Sequence, residues 1–245
     1  MPTMRIVELS AAPDRAGELQ TLNDSSWPEF LLHGDVRNWS SLYDQFADFQ
    51  LLLFDQGRLA GAGLSAPIAW DAGEPTPETI DEALVSARWP PDRPHSVLCA
   101  LAALVVPAYR GRGLSRRIVR AMCALAARRG LSGVLAPVRP TRKHEFPYEL
   151  MEPYIRRRDD SGRTLDPWLR AHQELGGREL GVAHRALTVR GTVGDWERWT
   201  GSGFPASGAY VVPGALVPVR VDLEHNIGEY VEPNVWYLHS VKEHN

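Results

Sequence analysis

Residues 96–106, SVLCALAALVV, are apolar almost without interruption, and Pro107 ends the run. A stretch with no polar alternation fits a strand buried on both faces of a sheet. Beyond the turn that follows, Leu114, Ile118, Met122, Leu125 and Ala126 recur at helical spacing. Gly130 stands where such a helix should stop, with Arg128 and Arg129 in its last turn. Residues 133–138 read as a second buried strand, so the centre of the chain predicts strand, glycine turn, helix, strand. Upstream, residues 4–9 predict a strand and residues 14–50 a mostly helical region broken at Pro28 and Gly34. Two apolar runs within residues 51–70 flank Asp55-Gln56-Gly57-Arg58, a hairpin signal. Residues 71–94 carry five prolines and a short helical piece at 79–88, and read as a surface connection. Downstream, residues 139–163 are polar, irregular and rich in Arg. Asp166-Pro167 then opens a helix with a side-chain cap and a first-turn proline, and Gly176-Gly177 closes it. Residues 186–193, 210–222 and 234–241 read as strands around a short helix at 195–200.

Composition adds limits to this picture. At 245 residues and 44% hydrophobic, the chain can bury a full core, and one compact α/β unit is expected. No run approaches the length of a membrane-spanning helix, and the first residues lack the basic-then-apolar order of a secretion signal, so a soluble, cytoplasmic protein is expected. The two cysteines, Cys99 and Cys123, fall in an apolar run and a predicted helix, which points to buried thiols and to neither a disulfide framework nor a metal site. The net charge of -3 conceals a segregation. Residues 1–104 hold 6 basic and 15 acidic groups, residues 105–190 hold 18 and 8, and residues 191–245 hold 3 and 7. A basic segment inside an acidic chain suggests a local polyanion site, not a nucleic-acid-binding domain.

The turn between strand and helix is where that polyanion would sit, since it collects free backbone amides at the positive end of a helix dipole. A nucleotide P-loop requires Gly-Lys-Ser/Thr at its end, whereas the chain continues Gly113-Leu114-Ser115. A dinucleotide fingerprint requires a third glycine where Arg116 stands, and an acidic residue about 20 positions on. The stretch from Val106-Pro107-Ala108-Tyr109 through Arg110, Gly111, Arg112, Gly113, Leu114 and Ser115 instead closely resembles the cofactor loop of the GCN5-related N-acetyltransferase (GNAT) superfamily. Ser115 departs from the small apolar residue usual there. The resemblance is specific over residues 97–138 and recurs at residues 169–180.

The resemblance implies a mixed, mostly antiparallel central sheet, split between two parallel strands, with helices on both faces. The core would span residues 1–187, and residues 188–245 would be a strand-rich extension of the same domain. It implies acetyl-CoA or another acyl-CoA as cofactor, its pyrophosphate on the loop amides and its pantetheine arm in the split beside Val105 and Val106. A phosphopantetheine arm on an acyl carrier protein would enter by the same groove, and the run Arg156-Arg157-Arg158 offers a basic rim for one. The implied reaction moves an acyl group to a small-molecule amine, with no nucleic-acid or membrane partner. A noncatalytic acyl-CoA sensor is the alternative of another class. Where relatives carry a tyrosine to protonate the leaving thiolate, this chain has His172, four residues before Gly176. The strand before the loop contains no carboxylate to serve as base, which leaves Glu29, His144, Glu145 and Glu232 as candidates by chemistry alone. A backbone amide near Val105 or Val106 would be the oxyanion donor.

Overall fold

The computed structural model describes residues 4–36, 39, 41–87 and 93–241. In chain order the elements are β1 (Arg5–Glu8), α1 (Ala16–Asp24), α2 (Ser41–Asp44), β2 (Leu51–Asp55), β3 (Arg58–Ile68), α3 (Ile80–Val85), β4 (Val97–Val105) and α4 (Leu114–Arg128). They continue with β5 (Gly133–Val138), α5 (Met151–Ile155), α6 (Pro167–Glu174), β6 (Arg178–Gly191), α7 (Val193–Thr200), β7 (Gly208–Tyr210), β8 (Val219–Asp222) and β9 (Ile227–Ser240). The strands form one sheet in the order β1-β2-β3-β4-β5-β9-β8-β7, with β6 also paired to β9. Among the described residues, β4 with β5 is the parallel pair and every other pairing of these strands is antiparallel. The mixed, mostly antiparallel sheet with one parallel pair therefore matches the expected fold class.

Helices cover both faces. Leu114, Ile118, Met122, Leu125 and Ala126 of α4 pack on Leu51, Leu53, Leu98 and Val134, so the helical stripe read from sequence is the buried one. On the other face, Leu19 and Leu22 of α1, Leu42 of α2 and Ala83 and Leu84 of α3 pack on Leu52, Leu64, Cys99 and Trp236. Met151, Tyr154 and Leu169, from α5 and α6, close over Ala136, Val138, Val235 and Tyr237. Gln56 and Gly57 both take positive φ, 49° and 80°, the two-residue turn geometry that joins twisted antiparallel strands.

The predicted pattern fails in several places, residues 210–222 among them, where β7 ends at Tyr210 and β8 begins only at Val219. Residues 14–50 yield only short helices, α1 and α2, separated by turns of 3-10 geometry. The Arg-rich segment 139–163 contains α5, whose apolar face is only one turn long. β6 and β9 begin at Arg178 and Ile227, well before the apolar runs that mark their ends. In β6, register shifts at Glu179/Gly181 and Ala183/Leu187 interrupt the period-two pattern that would reveal the strand. The predicted helix at 79–88 ends at Val85; Arg88, Pro90 and Pro91 lie outside the described residues.

The C-terminal end of the sheet holds its own core of Phe30, Val189, Trp196, Phe204 and Tyr230. Gly228 of β9 lets the fully buried Trp196 ring lie directly on the strand backbone, since a Cβ there would collide with the ring. Gly228→Ala is expected to lower stability by about 1–3 kcal/mol through overpacking. A urea denaturation midpoint equal to that of the parent would refute this packing.

Candidate active site

β4 and β5 pair only through Leu98 with Val134 and Cys99 with Leu135, and then part. A cleft of about 450 Å³ occupies the gap, walled by β4 from Ala100 to Val105 and by Ala136, Pro137 and Val138 of β5. Pro137 has no N–H to donate across it. Val106 donates its amide to the Ala60 carbonyl at 3.0 Å, so that amide is not available to a ligand. Ladder alternation turns the neighbouring amides of Val105 and Ala103 the other way, into the gap.

At the mouth of the cleft, the chain turns through Gly111 and Gly113, whose φ values of 76° and 73° favour glycine. Gly113 is the N-cap of α4 and offers no side-chain cap, and the first helical bond runs from Arg117 N to Gly113 O. The amides of residues 111–116 consequently have no acceptor among the described residues. Open space lies over both glycines, where a Cβ would meet nothing within 4 Å. Arg110 lines the same cleft, and Arg112 lies over the Tyr109 ring at 5.2 Å. Arg116 instead pairs with Glu174 and ties the start of α4 to the end of α6. Gly111, Gly113, Leu114 and Ser115 line the cleft with Val105, whereas Val106 and Arg112 do not.

His172 lies on the cleft wall, buried, with Trp168 packed edge-on at 4.5 Å. Its helix is held by Asp166, whose side chain accepts from the amides of Trp168 and Leu169 at the helix start. The same carboxylate accepts from the Arg142 amide at 2.7 Å and the Tyr154 hydroxyl at 2.8 Å. His172 Nδ1 lies 2.9 Å from His239 Nε2, while His172 Nε2 has no partner among the described residues. Burial, and secondarily the neighbouring His239, lower the His172 pKa to about 3; burial also lowers that of His239. Both imidazoles are thus neutral near pH 7. One gives a proton to the other, and the direction of that bond decides whether His172 Nε2 donates or accepts.

Among the residues that line this cleft there is no carboxylate. Glu29 lies on the surface against His33, Glu145 is paired with Arg142 on the surface, and His144 is exposed. Glu232 is buried, but both its oxygens accept from Arg139 Nε at 2.9 Å and one also accepts from Tyr230. The Arg triplet lines neither cavity: Arg157 is engaged by Glu149 and the Phe146 ring, and Arg158 by backbone carbonyls.

A second cavity of about 240 Å³ lies beside α1 and meets the cleft at Trp27, Leu101, Pro137 and Arg139. Asp24, Trp39, Glu232 and Asn234 also line it. None of these except Glu232 is picked out by the sequence. Asn234 and His239 carry a faint signal, as polar residues in an otherwise apolar strand.

The sequence profile described as the acetyltransferase (GNAT) family matches residues 17–145. An arginine N-acetyltransferase, avaD, of Aspergillus versicolor is 30% identical, over 95% of this chain and 93% of its own length. Among solved structures, the loading GNATL domain of CurA from Lyngbya majuscula superposes with a TM-score of 0.63 at 17% identity, covering 98% of each chain. The GphF GNAT-like decarboxylase in complex with isobutyryl-CoA superposes with a TM-score of 0.60 at 17% identity, over 98% of this chain and 100% of that one. These two likenesses are of fold.

The depressed pKa of His172 has a stability consequence. Below the unfolded-state value of about 6.5 the unfolded chain binds a proton that the folded chain refuses, so this contribution is present above pH 6.5 and is lost as pH falls toward 3. Denaturant titrations at pH 7.5 and pH 5 should show a smaller acid loss in His172→Asn than in the parent. An equal loss would place the acid sensitivity elsewhere.

Proposed function

Because the chain belongs to the acetyltransferase (GNAT) family, we propose that its cleft binds acyl-CoA and that the enzyme passes the acyl group to the amine of a small molecule. Acyl-CoA supplies an activated thioester; the residues of the chain do the rest. The observation that carries this reading is the row of unbonded amides at residues 111–116, opening onto a cleft that continues into the gap between β4 and β5. Those amides and the α4 dipole suit a pyrophosphate. The Val105 and Ala103 amides suit the negative charge that develops on a carbonyl oxygen during acyl transfer.

His172 is assigned the leaving-group side of the reaction. With His239 Nε2 donating to His172 Nδ1, the buried, unpartnered Nε2 of His172 carries the hydrogen and is assigned as a neutral hydrogen-bond donor for sulfur. A thiol of pKa about 8.5 leaves readily enough that such a bond helps without being indispensable. With no carboxylate in the cleft, the amine sheds its proton to solvent before attack. The curated relative's acceptor, arginine, supports a small amino compound as acceptor. A carrier-borne donor is less well supported, because Arg157 and Arg158 are spent within the chain.

Consumption of acetyl-CoA, read by thiol release with a panel of amines, tests the activity; CoA binding without turnover on any amine would leave only the sensor reading. His172→Ala is expected to lower kcat by about 10²-fold with CoA affinity nearly intact. Because His172 is neutral across the working range, kcat/KM should climb with pH as the amine deprotonates, with the same profile in His172→Ala. An acid limb near pH 6.5 that disappears in the variant would overturn the assignment. Gly113→Leu should abolish the thermal stabilisation by CoA, about 2.7 kcal/mol at 100 times Kd in the parent.

A further inference from the structure

We propose that the second cavity is the acceptor site and that it selects an α-amino acid with a cationic, hydrogen-bond-donating side chain, a guanidino group foremost. This rests on the reading of the chain as an amine acyltransferase.

The first argument is position. The cavity joins the cleft at Arg139, which lines both. Arg139 is braced from two sides: its Nε is held by Glu232 and its Nη2 donates to the Gly214 carbonyl at 2.6 Å. The Tyr230 hydroxyl also lies within hydrogen-bond reach of it. A fixed guanidinium at the junction of the two cavities is suited to a carboxylate. An α-carboxylate bound there holds the adjacent α-amine at the opening of the gap between β4 and β5.

The second argument is the pair of acceptors on the rest of the wall, Asn234 Oδ1 and the Asp24 carboxylate, beside which the Trp39 Nε1–H is also unpaired among the described residues. Asn234 is only 3% exposed, and its Oδ1 has no donor among the described residues. A buried carbonyl oxygen left unpaired is costly, and a ligand N–H would relieve that cost. On the rim, Asp24 accepts from Gln20 and Asn23 but faces no cation among the described residues. It is also the last residue of α1, where the helix dipole disfavours a negative charge. Trp27 and Trp39 supply flat apolar walls for a planar cation. A guanidinium, with five N–H donors and no acceptor, complements this lining better than an ammonium or a neutral amide.

Acetyl transfer is compared for L-arginine, for citrulline, which keeps the shape and loses the charge, and for agmatine, which loses the carboxylate. The parent should prefer L-arginine over each, and Asp24→Asn should raise KM for L-arginine roughly 10-fold while leaving citrulline unchanged. Asn234→Leu should raise KM for L-arginine and leave the denaturation midpoint equal or higher, because it removes an unpaired buried acceptor. L-arginine titrated calorimetrically into the CoA-bound protein should lose affinity in both variants. Equal KM changes for arginine and citrulline, or unchanged arginine binding in a folded Asn234→Leu, would overturn the proposal. If no amine turns over while calorimetry still shows arginine bound and weakened in these variants, the acyltransferase reading falls and the site stands.

Discussion

The parting of β4 from β5 after two residue pairs is the constraint on which the rest of this molecule depends. Strand edges left without partners inside a protein are costly, and the ordinary remedy is for the strands to close. Here neither strand is free to move toward the other. β4 is paired along its length with β3, from Val97 to Val105, and β5 is paired with β9 from Gly133 to Val138. The two anchored strands diverge, and the gap between them persists as a cleft whose inward-facing amides need a ligand. Pro137 removes one of the donors that closure would have used.

The same sheet positions the chemistry on its two faces through β9. Alternation along this strand sends Val235, Tyr237 and His239 toward α6, and Glu232, Asn234 and Trp236 toward α1 and the second cavity. One strand therefore carries both the partner of His172 and the floor of the other cavity. α6 adds precision because Asp166, buried and without a cation at its oxygens, is satisfied wholly by neutral donors: the first amides of the helix, the Arg142 amide and the Tyr154 hydroxyl. It fixes the helix that presents His172. The neutral state of the histidine pair follows from the same burial, which excludes the water that would stabilise an imidazolium.

Much of this was legible before any coordinates. The unbroken apolar runs gave β4 and β5, the period of α4 gave its buried face, and Gly111 and Gly113 marked a turn whose φ values bear out the need for glycine. Asp166-Pro167 marked the start of α6, and counting back from Gly176 led to His172. What stayed hidden has physical reasons. β6 is bulged, so its alternation breaks, and the long β9 shows its apolar character only near its end. Asp24 and Trp27, Arg139, and Asn234 come from three separate stretches that meet only when α1 packs across the split. No local pattern announces such a meeting. His239 was hidden because a histidine in an apolar strand reads as an ordinary core residue until its neighbour across the sheet is known.

The charge segregation along the chain acquires a spatial meaning from this arrangement. The basic middle of the chain, residues 105–190, supplies the Arg110–Ser115 turn and Arg139, where a polyanionic cofactor and a carboxylate would be received. The acidic first part supplies α1 and Asp24, which line the second cavity. In the proposed site, a substrate carrying both a negative and a positive group would place its carboxylate toward Arg139, itself paired with Glu232, and its cation toward Asp24. In the proposed site the basic and acidic parts of the chain thus meet at Arg139, the arginine that lines both cavities.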